Sequence, residues 1–276
     1  VIPVLNGGDR YIEVVRSLLK QDTAGHEILI ADSGSTDGAT DALVAQYPSL
    51  RVFDVEPGDF DHGRVRAGLA LAARAPLVAI LSADARPLHN DYLLRLADAF
   101  EDPLVAAVHA RQVPRVGADP LIIEALNRWT PAALEVGPGP IVRAAPPPSF
   151  WESASPVETM AAIRFDNVAS MVRREVVLGI PFPPRTFGED ASWARIVVSA
   201  GWSLAYAPRA MVEHHHTPTV AELFSRNRRA HHQAAAEFGV CAVSSASRGV
   251  ASLFAETASV AQQHGARWAA HTLPRR

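Results

Sequence analysis

Cysteine and lysine are almost absent from this chain of 276 residues, which has one of each, Cys241 and Lys20. A single cysteine excludes an internal disulfide and any zinc site built on several thiolates. Arginine supplies the other basic residues, and because 26 basic residues face 29 acidic ones the formal net charge is −3. The chain therefore lacks the general positive charge of a nucleic-acid-binding protein, and we expect no nucleic-acid partner.

Long hydrophobic runs are also missing. No stretch approaches the roughly 20 apolar residues of a membrane-spanning helix. The best apolar run, residues 77–81, lies between Pro76 and Asp84 and is typical of a buried strand. No positively charged segment precedes an apolar one, so the sequence predicts no secretion signal. These absences predict a cytoplasmic protein without a transmembrane segment.

Two glycine-rich phosphate-binding motifs are absent as well. The chain contains neither the GxGxxG pattern of dinucleotide-binding domains nor the GxxxxGK[ST] pattern of P-loop proteins. Both patterns place backbone N–H groups around phosphates. A dinucleotide-dependent dehydrogenase and a P-loop NTPase are therefore disfavoured.

The first hundred residues alternate between strand and helix patterns. The strands are predicted at residues 1–5, 27–31, 51–55 and 77–81, and the helices at residues 11–19, 40–46 and 65–73. Strands joined by crossover helices form right-handed βαβ units, so we expect an α/β fold with a mostly parallel central sheet flanked by helices. Ligands of such sheets bind beyond the carboxyl ends of the strands.

The rest of the chain is less regular. Nine prolines fall within residues 113–156, which predicts a long irregular segment that is either a functional loop or a solvated spacer. Further strands are predicted at residues 163–173 and 202–206, and helices at 191–200 and 220–238. We divide the chain into a ligand-binding half (1–110), an acceptor-binding and catalytic half of the same domain (111–240) and a helical tail (241–276).

Polar segments follow two of the predicted strands. Residues 32–38 combine carboxylates with Ser and Gly, which suits a nucleotide, although an ordinary Asx turn before a helix has the same composition. Asp84 follows the apolar strand directly, where it can bind Mg²⁺ or Mn²⁺, or else cap a helix.

Two later segments also carry chemistry. In Gly188-Glu189-Asp190 a carboxylate can act as a general base, or can simply complement the N-terminus of the next helix. Residues 213–216 read Glu-His-His-His, and as a strand they would place His214 and His216 on one face as half of a metal site. A histidine pair without a function is the alternative.

Together these segments resemble family 2 glycosyltransferases of the GT-A fold, and most closely their rhamnosyltransferase-like branch. The resemblance covers roughly residues 1–238, and each motif is loose, but their order and spacing agree. The motifs that carry it are Ile2-Pro3-Val4-Leu5-Asn6, residues 31–38, Phe60-Asp61-His62-Gly63-Arg64-Val65-Arg66, Leu81-Ser82-Ala83-Asp84-Ala85-Arg86-Pro87, Arg111-Gln112-Val113-Pro114, Phe165-Asp166-Asn167-Val168-Ala169-Ser170, Gly188-Glu189-Asp190 and His214-His215-His216.

The resemblance implies a role for particular residues. It places Asp32 on the base of a nucleotide-sugar donor, Arg66 near its diphosphate and Asp190 as the base of an inverting transfer. Asp84 matches the last position of the family's DXD motif, and with His214 or His216 it would hold Mg²⁺ or Mn²⁺. The residues expected to bind the donor are Pro3, Asn6, Asp32, Ser33, Arg66, Ser82, Ala83 and Asp84.

By the same resemblance, the protein moves one sugar from a nucleotide-diphosphate sugar, such as dTDP-rhamnose or a related deoxysugar, to a hydroxyl of a carbohydrate or lipid-linked acceptor. Cell-envelope polysaccharide synthesis and peripheral association with the inner face of the membrane would be consistent with that acceptor. Residues 226–229 lack the Gln-x-x-Arg-Trp motif of polymerising synthases. The alternatives are a metal-dependent nucleotide-sugar hydrolase and a non-catalytic nucleotide-sugar-binding protein.

Overall fold

The computed structural model describes residues 1–239 except 133–136, 138, 186 and 215–219. Its strands are β1 (Ile2–Val4), β2 (Leu29–Asp32), β3 (Arg51–Asp54), β4 (Leu77–Leu81), β5 (Arg86–Pro87), β6 (Val105–Val113), β7 (Ile141–Arg143), β8 (Ala169–Arg173) and β9 (Ser203–Glu213). Its helices are α1 (Gly8–Leu19), α2 (Ala39–Gln46), α3 (His62–Ala72), α4 (Tyr92–Ala97), α5 (Pro120–Trp129), α6 (Phe150–Ser153), α7 (Pro156–Ala162), α8 (Arg174–Gly179), α9 (Glu189–Ser199) and α10 (Val220–Phe238).

The parallel sheet predicted from the first half of the chain is present. Strands β1, β2 and β3 lie side by side in that order and all run parallel. Helix α1 crosses from β1 to β2 and buries Tyr11, Val14, Val15 and Leu18, the side chains that share one face at helical spacing. The strand–helix alternation therefore locates these elements to within a few residues.

The second sheet is mixed. Its strands have the order β4-β8-β6-β9-β5, and β7 pairs with β9 outside that path. Strands β6 and β9 run parallel, whereas the pairings of β8, β5 and β7 are antiparallel. A backbone hydrogen bond from Leu81 N to Val1 O, 3.1 Å long, joins β4 to the start of the chain beside β1. The carboxyl ends of β1, β2 and β4 thus meet along one edge.

The core lies on both faces of these sheets. One apolar cluster packs α1, α2 and α4 against one face, and the other packs α3, α8 and α9 against the opposite face. Trp193 of α9 is fully buried against Phe165 and Phe182, and its indole N–H donates to the carbonyl of Ile180 at 2.7 Å. This packing fixes the N-terminus of α9 beside the residues around 165.

Three predicted elements differ from the structure. Residues 113–156 are not wholly irregular, because they contain α5, β7 and α6. The strand predicted at 163–173 begins only at Ala169, because α7 occupies the chain up to Ala162. Helix α7 begins at Pro156, and Ser155 and Glu158 cap its N-terminus by hydrogen bonds to each other's backbone N–H. Strand β9 extends from Ser203 to Glu213, well past the predicted end at residue 206, and stops before His214.

No helix of the described residues is both long and apolar enough to cross a membrane. The predicted boundary at residue 110 falls within β6, so the two predicted halves share that strand. Their functional division stays a prediction. The predicted helical tail, 241–276, lies outside the described residues.

Candidate active site

A first cavity of about 530 Å³ opens at the carboxyl ends of β1, β2 and β4. Six of the eight residues predicted to bind the donor line it: Pro3, Ser33, Arg66, Ser82, Ala83 and Asp84. The other lining residues are Val4, Leu5, Pro57, Phe60 and His62. Segments that are far apart in the sequence thus meet at the carboxyl ends of the strands, as predicted from the parallel sheet.

Asn6 and Asp32 do not line this cavity but support its walls. Asn6 has a left-handed backbone with φ of 50°, and it accepts a hydrogen bond from Thr36 N at 2.8 Å through its side chain. Asp32 is buried and accepts hydrogen bonds from Ser35 N at 2.7 Å and the Thr40 hydroxyl at 2.5 Å. Burial opposes ionisation of Asp32, but these hydrogen bonds outweigh it and hold its pKa below the usual value.

Some polar atoms around the first cavity have no hydrogen-bond partner among the described residues. The Ser33 hydroxyl, His62 Nδ1 and Arg66 Nε are all buried without such a partner. Buried polar groups are rarely left unsatisfied in native structures, and an exception calls for an explanation such as a missing ligand. The orphan atoms at this cavity are therefore ready to hydrogen-bond a polar ligand.

A second cavity of about 590 Å³ adjoins the first, and His62, Arg66 and Ser82 line both. Its remaining wall combines aromatic side chains, Trp129, Phe165, Phe187 and Phe238, with polar ones that include Gln112, Asp166, Asn167, Glu189, Asp190 and His214. Two ligands, one bound in each cavity, would therefore contact each other beside these three shared residues.

Arg66 and Glu189 form a buried ion pair at this junction. Glu189 is only 3% exposed and also accepts a hydrogen bond from Asn167 Nδ2 at 3.3 Å. Because the Arg66 guanidinium and the Asn167 amide both bind it, the Glu189 carboxylate holds α3 and α9 together rather than being available to a substrate. The predicted position of Arg66 near a diphosphate is compatible with its place on the first cavity, but its charge is already balanced by Glu189.

Asp190 is adjacent to Glu189 in the chain, but among the described residues no cation is bonded to its carboxylate. From the described residues, its oxygens accept backbone hydrogen bonds alone, from Asn167 N at 3.3 Å and Ala191 N at 2.8 Å. Burial, reinforced by the negative charge of Glu189, raises the pKa of Asp190 to about 7. A carboxylate with a pKa near neutrality that faces a cavity has the properties of a general base.

The turn that carries Asp190 is held by α10. Gly188 has a φ of 69°, and a Cβ built there would lie 1.7 Å from Gln233 Oε1. Gln233 Nε2 donates to the Gly188 carbonyl at 2.7 Å and to the Ser192 hydroxyl at 3.1 Å. The left-handed backbone favours glycine here, and a Cβ would in addition displace the Gln233 amide from the turn.

Asp84 and His214 meet where β4 and β9 end. Asp84 Oδ1 lies 3.6 Å from His214 Nε2, and His214 is 4% exposed. His216, the third predicted ligand, lies outside the described residues, and among the described residues no group of three His, Cys, Asp or Glu side chains is placed to hold a metal ion. The structure thus brings together two of the three predicted ligands, and their oxygen and imidazole donors suit Mg²⁺ or Mn²⁺.

Asp166 is the centre of a buried hydrogen-bond network. It accepts from Gln112 Nε2 at 3.2 Å, from Trp129 Nε1 at 2.5 Å and from Val168 N at 3.0 Å. Gln112 in turn lies 2.9 Å from His214 Nδ1 through its Oε1 atom. The network therefore extends from the wall of the second cavity to the Asp84–His214 pair.

Three residues of the site, His62, Gln112 and Asp166, lie within the family motifs, but the sequence predicted no role for them. His62 and Arg66 are four residues apart and lie on one face of α3, yet the predicted helix began only at residue 65. Asp61 caps this helix by accepting from Arg64 N at 2.8 Å, so the N-cap residue was the signal that extends the helix to His62. Gln112 and Asp166 are 54 residues apart and gave no comparable signal.

Comparison with known proteins adds a family and a fold. The "Glycosyl transferase family 2" model matches residues 1–141. The O-antigen chain rhamnosyltransferase RfbN of Salmonella typhimurium is 29% identical over 231 residues, which are 82% of this chain and 68% of RfbN.

Two solved structures share the fold. The mannosyltransferase PcManGT from Pyrobaculum calidifontis, in complex with GDP-Man and Mn²⁺, aligns with 99% of this chain and 85% of its own at 20% identity and a TM-score of 0.60. TarS 1–349 of S. aureus aligns with 76% of this chain at 16% identity and a TM-score of 0.52, and the chain spans 58% of that structure's length. The chain therefore belongs to glycosyl transferase family 2, and it is a sugar transferase with the GT-A fold.

Proposed function

We propose that this chain transfers one sugar, with inversion at the anomeric carbon, from a nucleotide-diphosphate sugar to a hydroxyl of a carbohydrate or lipid-linked acceptor. A dTDP-deoxysugar such as dTDP-rhamnose is the proposed donor, because RfbN is a rhamnosyltransferase. A role in cell-envelope polysaccharide synthesis follows from the same relative. A cytoplasmic location, with peripheral contact to the inner face of the membrane, stays a prediction.

One observation carries this proposal: a carboxylate with a raised pKa lies in one of two adjoining cavities. The first cavity, with Asp32 and Asn6 behind its walls, is the proposed donor site. The second cavity contains Asp190 and is the proposed acceptor site. A hydroxyl group bound in the second cavity would face the junction with the first, where the donor sugar would lie.

The chemistry assigned to Asp190 balances without a further reactant. The Asp190 carboxylate takes the proton of the acceptor hydroxyl, and the oxygen forms a bond to the anomeric carbon as the bond to the diphosphate breaks. The products are the glycoside and a nucleoside diphosphate. Its pKa of about 7 leaves a substantial ionised fraction at neutral pH while keeping the group basic enough to accept a proton.

Asp84 and His214 are the residues proposed to hold Mg²⁺ or Mn²⁺, since their facing oxygen and nitrogen atoms fit such an ion. When bound, the cation neutralises charge on the departing diphosphate. The sequence Ser82-Ala83-Asp84 supplies one carboxylate where many relatives are expected to have two, and the imidazole of His214 is placed to act as a second protein ligand.

The wall of the second cavity supports a carbohydrate acceptor. Trp129 presents an indole ring whose N–H is fixed on Asp166, and Phe187 and Phe238 add apolar surface. Such aromatic faces pack against the apolar faces of sugar rings, while the nearby carboxylates and amides can accept or donate hydrogen bonds to hydroxyl groups.

The experiment that tests the proposal follows donor consumption with and without acceptors. UDP-, GDP- and dTDP-sugars are first screened with Mg²⁺ and Mn²⁺ by thermal shift, because a specific donor raises the melting temperature in proportion to its affinity. The stabilising donor is then incubated with candidate glycans and lipid-linked sugars, and the anomer of the product is read by NMR. A product of inverted configuration supports the proposal.

Two results would contradict it. Sugar release that is as fast without an acceptor as with one would indicate a hydrolase. Donor binding without turnover under any metal or acceptor would indicate a binding protein that has lost its catalytic activity.

A further inference from the structure

The buried network around Asp166 determines how His214 presents its ring. Asp166 is 7% exposed and has its carboxylate oxygens bonded to Gln112, Trp129 and Val168, while His109 Nδ1 lies 3.7 Å away. Burial opposes its ionisation, but His109 together with the Trp129 and Val168 N–H groups outweighs burial and holds the pKa of Asp166 below its usual value. Asp166 is therefore a carboxylate, which can only accept hydrogen bonds.

This fixes the orientation of the Gln112 amide. Because Asp166 only accepts, Gln112 must direct its NH₂ group towards it, at 3.2 Å from both carboxylate oxygens. The amide oxygen of Gln112 then points the other way, towards His214 Nδ1 at 2.9 Å. An amide flip would break the bond to Asp166 and bring two acceptors into contact, so the local chemistry selects one orientation.

The orientation of Gln112 in turn selects the tautomer of His214. An amide oxygen only accepts, so His214 Nδ1 must carry the hydrogen. In the neutral ring Nε2 then has a lone pair, and it lies 3.6 Å from Asp84 Oδ1. Two electron-pair donors face each other at that distance, and a cation between them would stabilise the arrangement.

We propose that Asp166 and Gln112 are positioning residues that hold His214 in its Nδ1–H tautomer, so that Nε2 is available to a divalent cation shared with Asp84. This inference rests on the proposed function for the presence of that cation. Trp129 is bonded to the same carboxylate, and so the aromatic wall of the second cavity is connected to the cation site through Asp166 and Gln112.

The direct test is ¹⁵N NMR of the metal-free protein labelled at histidine. The spectrum is recorded above about pH 8, where a histidine of ordinary pKa is neutral, and the His214 signals are assigned by their loss in His214→Gln. We expect a protonated Nδ1 and an unprotonated Nε2. A protonated Nε2 in the wild-type protein would overturn the proposal without any reliance on a variant.

Two variants then connect the tautomer to metal affinity, measured as free Mn²⁺ by EPR. Asp166→Asn keeps the shape of the side chain but can donate, which permits Gln112 to flip, so the Nε2–H signal should appear beside the original one. Gln112→Leu removes the partner of Nδ1. Both should weaken Mn²⁺ binding about 10- to 100-fold, the effect typical of losing a residue that orients a metal-bound histidine.

Gln21→Leu is the matched control, because Gln21 is also buried and bonded to backbone carbonyls, at His89 and Ser17. It should lower stability while leaving Mn²⁺ affinity and the His214 spectrum unchanged. Unchanged spectra and affinities in both network variants would overturn the proposal. If instead the wild-type protein has the Nδ1–H tautomer and binds Mn²⁺ but transfers no sugar, the proposed function fails while this inference stands.

Discussion

The two cavities of the site are built in different ways. The first is formed by short segments that follow β1, β2 and β4 and by residues 57–66 after β3, so each wall comes from a contiguous stretch of the chain. The second is formed by side chains from α5, β6, α9 and α10 and from the segment before β8, fixed by hydrogen bonds between distant residues such as Gln112 and Asp166. A site of the first kind is visible in a sequence, whereas one of the second kind depends on tertiary packing.

The largest effect should come from removing the Asp190 carboxylate, which lines the second cavity. Asp190→Asn keeps the shape of the side chain but cannot accept a proton, so kcat should fall about 10²- to 10⁴-fold. Donor affinity, measured by calorimetry, should stay within about twofold because the first cavity is unchanged. Asp41→Asn, at an exposed carboxylate on α2, is the control and should leave kcat unaltered. Full activity of Asp190→Asn would remove the base assignment.

The next effect concerns the first cavity. Asp84→Ala removes a proposed cation ligand and should weaken donor binding in Mn²⁺ by at least about 100-fold, more than the loss of a residue that only orients a ligand. Donor affinity without metal should change little. Asp54→Ala provides the comparison, since Asp54 also ends a parallel strand but is exposed. Equal donor affinity of the wild-type protein with and without Mn²⁺ would contradict the assignment.

The pH dependence of Asp190 should show opposite trends in activity and stability. With a pKa of about 7, kcat/KM should fall about tenfold per pH unit below neutrality as the base is protonated. Between the ordinary carboxyl pKa of 3.8 and about 7 the folded protein holds a proton that the unfolded chain has released. The contribution of this group to stability therefore declines as pH rises through that window.

Asp190→Asn cannot ionise, and so its melting temperature should exceed that of the wild-type protein above pH 7, with the gap closing towards pH 4. Thermal unfolding across this range measures the gap. A difference that does not vary with pH would show that Asp190 does not have a raised pKa.

The smallest effect should come from the turn that carries Asp190. Gly188→Ala introduces a Cβ into a left-handed backbone, which costs about 1–2 kcal/mol, and into contact with Gln233 as well. Gly25→Ala introduces similar strain at a φ of 76°, but its Cβ meets no atom within 4 Å. The control therefore measures the cost of the backbone conformation alone. We expect Gly188→Ala to lower both the melting temperature and kcat more than Gly25→Ala. Equal losses in the two variants would show that Gln233 does not constrain the turn.

Much of the first half of the fold could be predicted from the sequence, because short and mostly apolar strands alternate there with helices, of which α1 has clear amphipathic spacing. Residues 77–81 were predicted as a strand with the observed bounds, and 220–238 as a helix with the observed bounds. The antiparallel pairings of β8 were not predictable, since pairing partners such as Ile80 and Ser170 are about 90 residues apart and neither side chain specifies the other.

Some residues of the site could also be predicted, and others could not. Asp84 and Asp190 could be proposed from the sequence because each lies at the end or start of a predicted element. The pairing of Arg66 with Glu189 could not be predicted, because the two residues are 123 positions apart and meet only when α3 and α9 pack on the same face of the sheet. The family resemblance accordingly placed Arg66 near a diphosphate, and its carboxylate partner was not predicted.

The Arg66–Glu189 ion pair has a consequence for how an anionic donor approaches. Its two charges cancel, so the pair itself contributes little net positive potential at the junction of the cavities. A nucleotide diphosphate entering the first cavity would therefore gain little electrostatic attraction from Arg66. In the proposed function, a cation held by Asp84 and His214 would supply that attraction.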